Sequence, residues 1–285
     1  MNMLSPRGFK VLPPVVKNLL IINGLFFLAT ITFSQGLGID LYDYLSLKYF
    51  GSDLFQPYQL ITYMFMHGSF GHLFFNMFAL WMFGSSIENF WGPKRFLFFY
   101  LFAGIGAGLS HYAVYFFEIN PLISSIDQFL LNPNATDLQS IIASHKFMVS
   151  QQYPDIYYAF FKFDDAVKTL NTNPNDVVSL QTSVNFLETY RSFYLNLPSV
   201  VGASGSVFGI LLAFGMMFPN MMIYLYFFIP IKAKWFVIAY GALELYLGVM
   251  GSSDGIAHFA HLGGMLFGFI LIMYWRKRPG NNFFN

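Results

Sequence analysis

Six apolar runs of membrane-spanning length constrain the fold of this chain more than any other feature of its sequence. A helix that crosses a bilayer needs about 20 mostly apolar residues, and somewhat fewer suffice. Charged residues make up only 10% of the chain, whereas soluble domains carry about 25%. The sequence therefore predicts an all-α polytopic membrane protein with six transmembrane helices. The runs occupy residues 18–33, 72–91, 95–117, 204–218, 235–250 and 256–275.

The distribution of lysine and arginine predicts how these helices are oriented, because short cytoplasmic loops are rich in both. With both termini cytoplasmic, ten of the 15 basic residues fall inside and five fall outside. Most of the five outside residues lie in one long loop. We therefore expect a cytoplasmic segment 1–17, a membrane domain 18–275 and a cytoplasmic tail 276–285. The protein is expected to be an integral, multi-pass protein of the plasma (inner) membrane.

Two segments between the runs differ from them in composition. Residues 118–198 are polar with scattered apolar residues, and the stretches DLQSIIASHKFMVS and PNDVVSLQTSVNFLETYRSFYL have helical periodicity. Asp176 or Asn175 is placed to cap the second stretch. We expect an external insertion of short amphipathic helices. Residues 221–231 are too short to span and contain a proline, which indicates a connector at the membrane surface.

Overall charge and cysteine content exclude several classes of function. The net charge is +1, so no surface for nucleic acid is expected. The chain has no cysteine, which excludes disulfides, thiolate metal ligands and a cysteine nucleophile. The sequence does not indicate an oligomeric state.

Polar side chains are rare inside the apolar runs, and they are functional candidates because a bilayer makes them costly. His72 and Asn76 are four residues apart and project from one face of the second helix. Ser204 begins the fourth helix, where unsatisfied amides favour negative charge nearby. His261 lies in the first turns of the sixth helix. In the predicted topology all of these residues fall in the outward half of the membrane. The other candidates are His67, Ser206 and His258.

Small residues indicate that the fourth and sixth helices pack closely, since small-xxx-small pairs let two backbones approach. A serine on one helix could then reach a histidine on the other, and an imidazole within about 3 Å could take its proton. Nearby side chains and the serine amide could hold an oxyanion. The glycines assigned to this packing are Gly202, Gly205, Gly209, Gly264 and Gly268.

Each feature also has a purely structural explanation. A serine at a glycine-rich helix start commonly bonds locally, and polar residues such as His72 and Asn76 can link neighbouring helices. The histidines could bind a metal, but the chain lacks H-E-x-x-H and no acidic residue stands beside them in sequence. The hydrolase motif G-x-S-x-G is not matched either, because Ser206 replaces its last glycine. The histidines concerned are His67, His72, His258 and His261.

Three motifs in order resemble the rhomboid family of intramembrane serine proteases. They are H-x-x-x-N at residues 72–76, G-A-S-G at 202–205 and A-H-x-x-G-x-x-x-G at 260–268. The similarity covers roughly residues 18–275, apart from the insertion. It implies a six-helix, rhomboid-like fold. It also implies a protease that cleaves transmembrane segments of other membrane proteins within the lipid bilayer.

The resemblance also implies roles for individual residues. Ser204 would be the nucleophile and His261 the general base, in a dyad without a third acidic member. The oxyanion hole would consist of His72, Asn76 and the Ser204 amide. His258 lies about one turn away and is expected to support His261. Neither a metal nor an organic cofactor is implied.

Two alternative functions stay open at this stage. One is a catalytically inactive rhomboid-like protein that binds transmembrane clients, which the presence of both Ser204 and His261 disfavours. The other is a transporter of metal or solute lined by histidines, which the lack of carboxylates near them disfavours.

Several residues depart from the family pattern or have no role in it. Tyr58 and Gln59 stand where many relatives carry Trp-Arg, so the loop after the first helix is expected to differ. Glu244 lies inside the fifth helix, and we expect it to bond a neighbouring helix or the connector, with a gating role as the alternative. Glu88 is expected to pair with Lys94 or Arg95.

Overall fold

The chain forms two compact units in a computed structural model that describes residues 8–225, 228–251 and 257–277. The membrane unit comprises Gln56–Tyr112 with the described residues before Lys48 and after Ser199. The insertion unit comprises Lys48–Phe55 and Ala113–Ser199. Residues 1–7 of the predicted N-terminal segment and 278–285 of the predicted tail lie outside the described residues.

The chain is 75% helical, which confirms the predicted all-α class. Four strands of two to four residues accompany the helices in the described ranges. In chain order the elements are α1 (Pro14–Leu37), α2 (Leu41–Leu45), β1 (Leu47–Lys48), α3 (Gln59–Thr62), a 3₁₀ turn (Tyr63–Phe65), α4 (Phe70–Ala79), a π-helical turn (Leu80–Gly84), α5 (Ser85–Trp91), α6 (Pro93–Leu131), α7 (Ala135–Ser144), α8 (Pro154–Thr172), α9 (Val177–Asn196), β2 (Ser199–Val200), α10 (Ser204–Met217), β3 (Met222–Leu225), β4 (Ile229–Lys232), α11 (Ala233–Met250) and α12 (His258–Arg276).

Five of the described helices are long and apolar enough to cross a membrane. They are α1, the continuous helix Phe70–Trp91 formed by α4 and α5 with the π-helical turn between them, α6, α11 and α12. The sixth predicted span corresponds to α10, a shorter apolar helix of 14 residues. Such a helix is about 21 Å long, less than the ~30 Å hydrocarbon core. Because most of α10 is buried in protein, its ends need not reach the membrane surfaces.

Glu88 holds the start of α1, a role that the sequence did not predict. It is buried, and its two carboxylate oxygens accept the backbone N–H groups of Val15 (3.0 Å) and Val16 (2.8 Å). Amides in the first turn of a helix have no carbonyl acceptor of their own. Glu88 therefore caps α1 from the second span.

The predicted connector between α10 and α11 is a β-hairpin. Strands β3 and β4 pair antiparallel, with Met222 opposite Lys232 and Leu225 opposite Ile229. Pro230, opposite Tyr224, lies in the second strand, where its missing N–H is tolerated at an edge. Residues 226–227 of the connector lie outside the described residues.

The insertion unit has a hydrophobic core of its own, built from the end of α6 with α7, α8 and α9. Phe163 of α8 stacks on Phe186 of α9 at a centroid distance of 4.2 Å. Asp176 accepts the N–H of Ser179 (2.8 Å) and so caps α9, which confirms that prediction. The core residues are Leu122, Ile126, Phe129, Leu138, Ile141, Ile156, Phe163, Leu170, Phe186, Leu187 and Tyr190.

This unit differs from the predicted insertion 118–198 in extent and helix length. Its longer segment begins at Ala113, five residues before the predicted start, and the separate segment Lys48–Phe55 also belongs to it. Helices α8 and α9 have 19 and 20 residues and are longer than the short helices predicted. The predicted boundary at residue 118 falls inside α6, which continues because Leu122, Ile126 and Phe129 bury their side chains in the unit's core.

Candidate active site

Ser204 and His261 lie on different helices and are hydrogen bonded to one another. Ser204 is the first residue of α10, and His261 lies in the first turn of α12. Their Oγ and Nε2 atoms are 2.9 Å apart, although the residues are separated by 57 positions. His261 is only 8% exposed, so protein surrounds most of the pair. A serine hydroxyl bonded to an imidazole is the arrangement that nucleophilic catalysis uses.

Glycines bring the backbones of α10 and α12 close enough for this bond. A Cβ added to Gly264 would lie 1.9 Å from the carbonyl oxygen of Gly205. A Cβ on Gly209 would lie 3.0 Å from the Gly264 oxygen, and one on Gly268 would lie 3.3 Å from the Gly209 Cα. A contact of 1.9 Å with backbone is not possible for a real Cβ, so Gly264 requires glycine for the observed separation, whereas Gly209 and Gly268 make the contact tight.

The aromatic ring of Phe208 fixes the plane of the His261 imidazole. The two rings are parallel, with an interplanar angle of 8° and centroids 4.2 Å apart. Phe208 is one helical turn after Ser204 on α10, so the same helix presents the hydroxyl and the stacking ring. The sequence analysis did not single out Phe208, and its four-residue spacing from Ser204 is the signal that would have found it.

Glu244 of α11 lies beside both histidines of α12, which corrects two sequence-based expectations. Its Oε2 atom is 2.8 Å from His261 Nδ1 and 2.7 Å from His258 Nδ1, and the carboxylate is buried. A dyad without an acidic neighbour was expected, and so was a lack of carboxylates near the histidines. The first expectation followed from the family resemblance and the second from positions along the chain, whereas α11 and α12 place the three side chains together in space. The expected bond from Glu244 to a neighbouring helix is confirmed.

The same three side chains are the group that best resembles a metal site among the described residues. One ligand atom from each of Glu244, His258 and His261 lies within 4.8 Å of the others. Tetrahedral zinc with ligands at 2.0–2.1 Å would hold its ligand atoms about 3.3 Å apart. The observed separations of 2.7 and 2.8 Å from the carboxylate oxygen are those of hydrogen bonds. The geometry therefore fits a hydrogen-bonded triad better than a zinc site.

His72 lies beside Gly202, two residues before the start of α10. Gly202 has a φ of +127°, and a Cβ there would lie 2.8 Å from His72 Nε2 and 3.5 Å from Ser204 Oγ. The imidazole of His72 and the hydroxyl of Ser204 therefore both border Gly202. Asn76 is buried one turn further along α4, and its Nδ2 donates to the His72 carbonyl oxygen (3.0 Å).

Two further candidates, Ser206 and His67, have contacts that stabilise the fold. Ser206 is buried and donates its hydroxyl to the Tyr100 carbonyl oxygen (2.7 Å), on the side of α10 that packs on α6. The ring of His67 is 5.0 Å from that of His72, and the Tyr42 hydroxyl donates to the His67 carbonyl oxygen (2.6 Å). These contacts stabilise the fold around the Ser204–His261 pair.

Gln59, which with Tyr58 departs from the family pattern, ties the loop after α2 together. It is buried, its Nε2 donates to the Tyr44 carbonyl oxygen (3.2 Å), and its Oε1 accepts the N–H of Gln56 (3.2 Å). Tyr58 is half exposed. The Gln59 amide thus uses one donor and one acceptor within this loop.

Comparison with known protein families gives one match. The Rhomboid domain family model matches residues 54–118 and 177–278, more than half of the chain. The matched ranges contain the second span, α10, α11 and α12, and with them His72, Asn76, Ser204, Glu244 and His261. Helix α1 and most of the insertion unit lie outside the match. No individual curated protein matches the chain.

Proposed function

Because the chain belongs to the rhomboid family, we propose that it is an intramembrane serine endopeptidase with Ser204 as nucleophile and His261 as general base. The observation that supports the proposal best is the 2.9 Å bond between Ser204 Oγ and His261 Nε2. Two helices must cross with the right rotation to form it, and the Gly205–Gly264 contact maintains that crossing. A serine with a purely packing role would need no such partner.

The proposed reaction is an acyl transfer in two steps. The Ser204 oxygen attacks the scissile carbonyl carbon while its proton passes to His261 Nε2. The tetrahedral oxyanion collapses, the peptide C–N bond breaks, and the imidazolium returns the proton to the leaving amine. Water then attacks the acyl-enzyme and loses a proton to His261. The bond between the acyl carbon and Ser204 Oγ breaks, His261 returns the proton to Oγ, and the new carboxyl terminus is released.

The oxyanion hole is proposed to consist of His72, Asn76 and the backbone N–H of Ser204. Preorganised donors stabilise developing charge strongly, and loss of one typically lowers kcat by about 10²–10³-fold. The first amide of α10 has no acceptor from a preceding turn. The position of His72 beside Gly202 supports its inclusion. Asn76 already gives one N–H to the His72 carbonyl, and its amide nitrogen carries a second.

The proposed substrates are transmembrane segments of other membrane proteins. Ser204 and His261 both belong to apolar helices of the membrane unit, so a substrate has to reach them from the lipid. In the orientation proposed from the basic residues, with both termini cytoplasmic in the plasma (inner) membrane, the pair lies in the outward half of the bilayer.

A fluorophosphonate probe tests the proposal, since an activated serine forms an Oγ–P bond with it and releases fluoride. We expect the purified full chain to be labelled, and Ser204→Ala and His261→Ala to remain unlabelled. Ser206→Ala is the matched control: this buried serine lies half a turn away and bonds Tyr100 instead, so its variant should be labelled like the wild type.

The same assay separates the alternatives. Labelling that survives a chelator fits the Ser204–His261 pair. Absence of labelling in folded wild-type protein would overturn the protease proposal and favour an inactive, client-binding relative. Labelling abolished by the chelator would point to a metal held by the histidines.

A further inference from the structure

We infer that Glu244 is a positioning residue of this site, which holds His261 in the tautomer and orientation that accept the Ser204 proton. The inference rests on the proposed function and extends the Ser204–His261 pair to a triad whose third member comes from α11. It departs from the dyad that the family resemblance implied for this chain.

The hydrogen bonds around Glu244 determine the tautomer of His261. An ionised carboxylate only accepts hydrogen bonds, and Oε2 is within 2.8 Å of Nδ1 of both histidines. Each histidine must therefore carry its proton on Nδ1. A neutral imidazole has one N–H, so Nε2 of His261 keeps a lone pair and faces the Ser204 hydroxyl at 2.9 Å.

Protonation of Glu244 would not give the same arrangement. A protonated carboxyl has one O–H, which could be donated to only one of the two imidazoles. The two contacts to a single oxygen thus favour the ionised form, for which two N–H donors partly replace the lost solvation. This conclusion about His261 holds whether His258 is neutral or positively charged, since Nδ1 carries a proton in both states.

Glu244 and Phe208 together restrict the imidazole of His261 to one orientation. Stacking on Phe208 fixes the plane of the ring. A 180° rotation about χ2 would keep that plane but exchange the nitrogen and carbon positions of the ring. The in-plane bond from Nδ1 to Glu244 opposes that rotation. The ring can then direct Nε2 at Ser204 without reorganisation, which is what catalytic preorganisation requires.

His258 acts behind Glu244 in this arrangement. Its Nδ1 donates to the same oxygen as His261 does, so it helps to hold the carboxylate in place. His258 is buried and is three residues before His261 on α12, on the same face of that helix.

Labelling kinetics provide the first test, with the fluorophosphonate probe and the full-length protein. For Glu244→Gln we expect the maximal labelling rate, kinact, to fall by about 10⁴-fold, the size of the loss in kcat when the acid of a serine–histidine–acid triad is removed. The half-saturating concentration, KI, should stay within about threefold, because Glu244 does not touch the probe. Glu244→Asp, which keeps the charge, should recover part of kinact.

Glu88→Gln is the matched control, because Glu88 is the other buried carboxylate among the described residues of the membrane unit and bonds backbone amides of α1 instead. It should leave kinact nearly unchanged. Equal losses in Glu88→Gln and Glu244→Gln would mean that removing any buried carboxylate disturbs the fold, and would overturn the inference.

Nitrogen NMR of ¹⁵N-histidine-labelled protein supplies a readout that does not depend on activity. The six histidines can be assigned by single His→Gln variants. In wild-type protein we expect His261 with a protonated Nδ1 and a bare Nε2, and in Glu244→Gln a shift of population toward the Nε2–H tautomer. A wild-type His261 in the Nε2–H form, or a tautomer that Glu244→Gln leaves unchanged, would overturn the inference.

The two tests also separate this inference from the proposed function. If the protein is never labelled but His261 shows the Glu244-dependent tautomer, the protease proposal fails and the positioning by Glu244 stands. If labelling requires Ser204 but both readouts ignore Glu244→Gln, the protease proposal stands and the positioning role fails.

Discussion

Gly264 of α12 lies against Gly205 of α10 with the two backbones in contact: a Cβ on Gly264 would be 1.9 Å from the Gly205 carbonyl oxygen and 2.7 Å from its carbon. Backbone atoms cannot rotate away as a flexible side chain can. The separation of the two helices, and with it the distance from Ser204 to His261, therefore depends on the absence of a side chain at Gly264.

Gly264→Ala should consequently both destabilise the protein and separate Ser204 from His261. We expect a loss of about 3 kcal/mol or more in the free energy of unfolding, at the upper end for overpacked sites, and a loss of fluorophosphonate labelling. Thermal unfolding in detergent would measure the first effect. Gly24→Ala is the control, because nothing lies within 4 Å of its Cβ position on α1; a similar loss there would show that the helix contact is not the cause.

Gly202→Ala is expected to act on the oxyanion hole. A side chain is strained at φ +127°, and its Cβ would displace the His72 imidazole, which lies 2.8 Å away. Misplacement of a catalytic group by about 1 Å can cost about 10²-fold in rate, so kinact should fall by roughly that factor. Gly92→Ala controls for backbone strain, since Gly92 has φ +82° with no atom within 4 Å of its Cβ position. Equal loss of labelling in both variants would contradict the role given to His72.

Glu88→Ala should destabilise the start of α1. The substitution leaves the amides of Val15 and Val16 without their acceptor in a buried place, at a cost of about 1–3 kcal/mol. Hydrogen exchange should become faster at residues 14–19 than elsewhere in the membrane unit. Glu188→Ala, at an exposed position of α9, should change neither stability nor exchange. Unchanged protection of α1 in Glu88→Ala would refute the capping role.

Acidification should destabilise the insertion unit through His145. The Nε2 of His145 lies 2.9 Å from the Tyr190 hydroxyl, which also accepts the Met148 N–H. Burial lowers the pKa of His145 below its ordinary value of 6.5, so the folded unit favours the neutral ring. The stabilisation is complete above pH 6.5 and is lost as the pH falls through the lowered pKa.

Hydrogen exchange of α7 to α9 in the full chain would measure this effect between about pH 7.5 and about pH 5, after correction for the intrinsic exchange rate. Protection should decrease toward the acidic end in wild-type protein. His145→Gln should remove most of this pH dependence, because glutamine does not titrate; a pH dependence that persists in this variant would assign the effect to other groups.

Patterns formed by residues close in the chain could be predicted from the sequence. The spanning runs follow from apolar length, and Asp176 caps α9 because cap and amide are three residues apart. The common face of His72 and Asn76 follows from helical spacing. The three motifs indicated the family, and with it the pair Ser204 and His261.

Partners that are far apart in the chain were decided by the tertiary structure. Glu244 was visible in the sequence as a carboxylate inside a spanning helix, but its bonds to His258 and His261 depend on how α11 and α12 are rotated against one another. The same holds for Glu88, whose amide partners are 72 and 73 positions away. Local periodicity determines which face of a helix a side chain occupies. Helix crossing, set here by backbone contact at glycines, determines what that face meets.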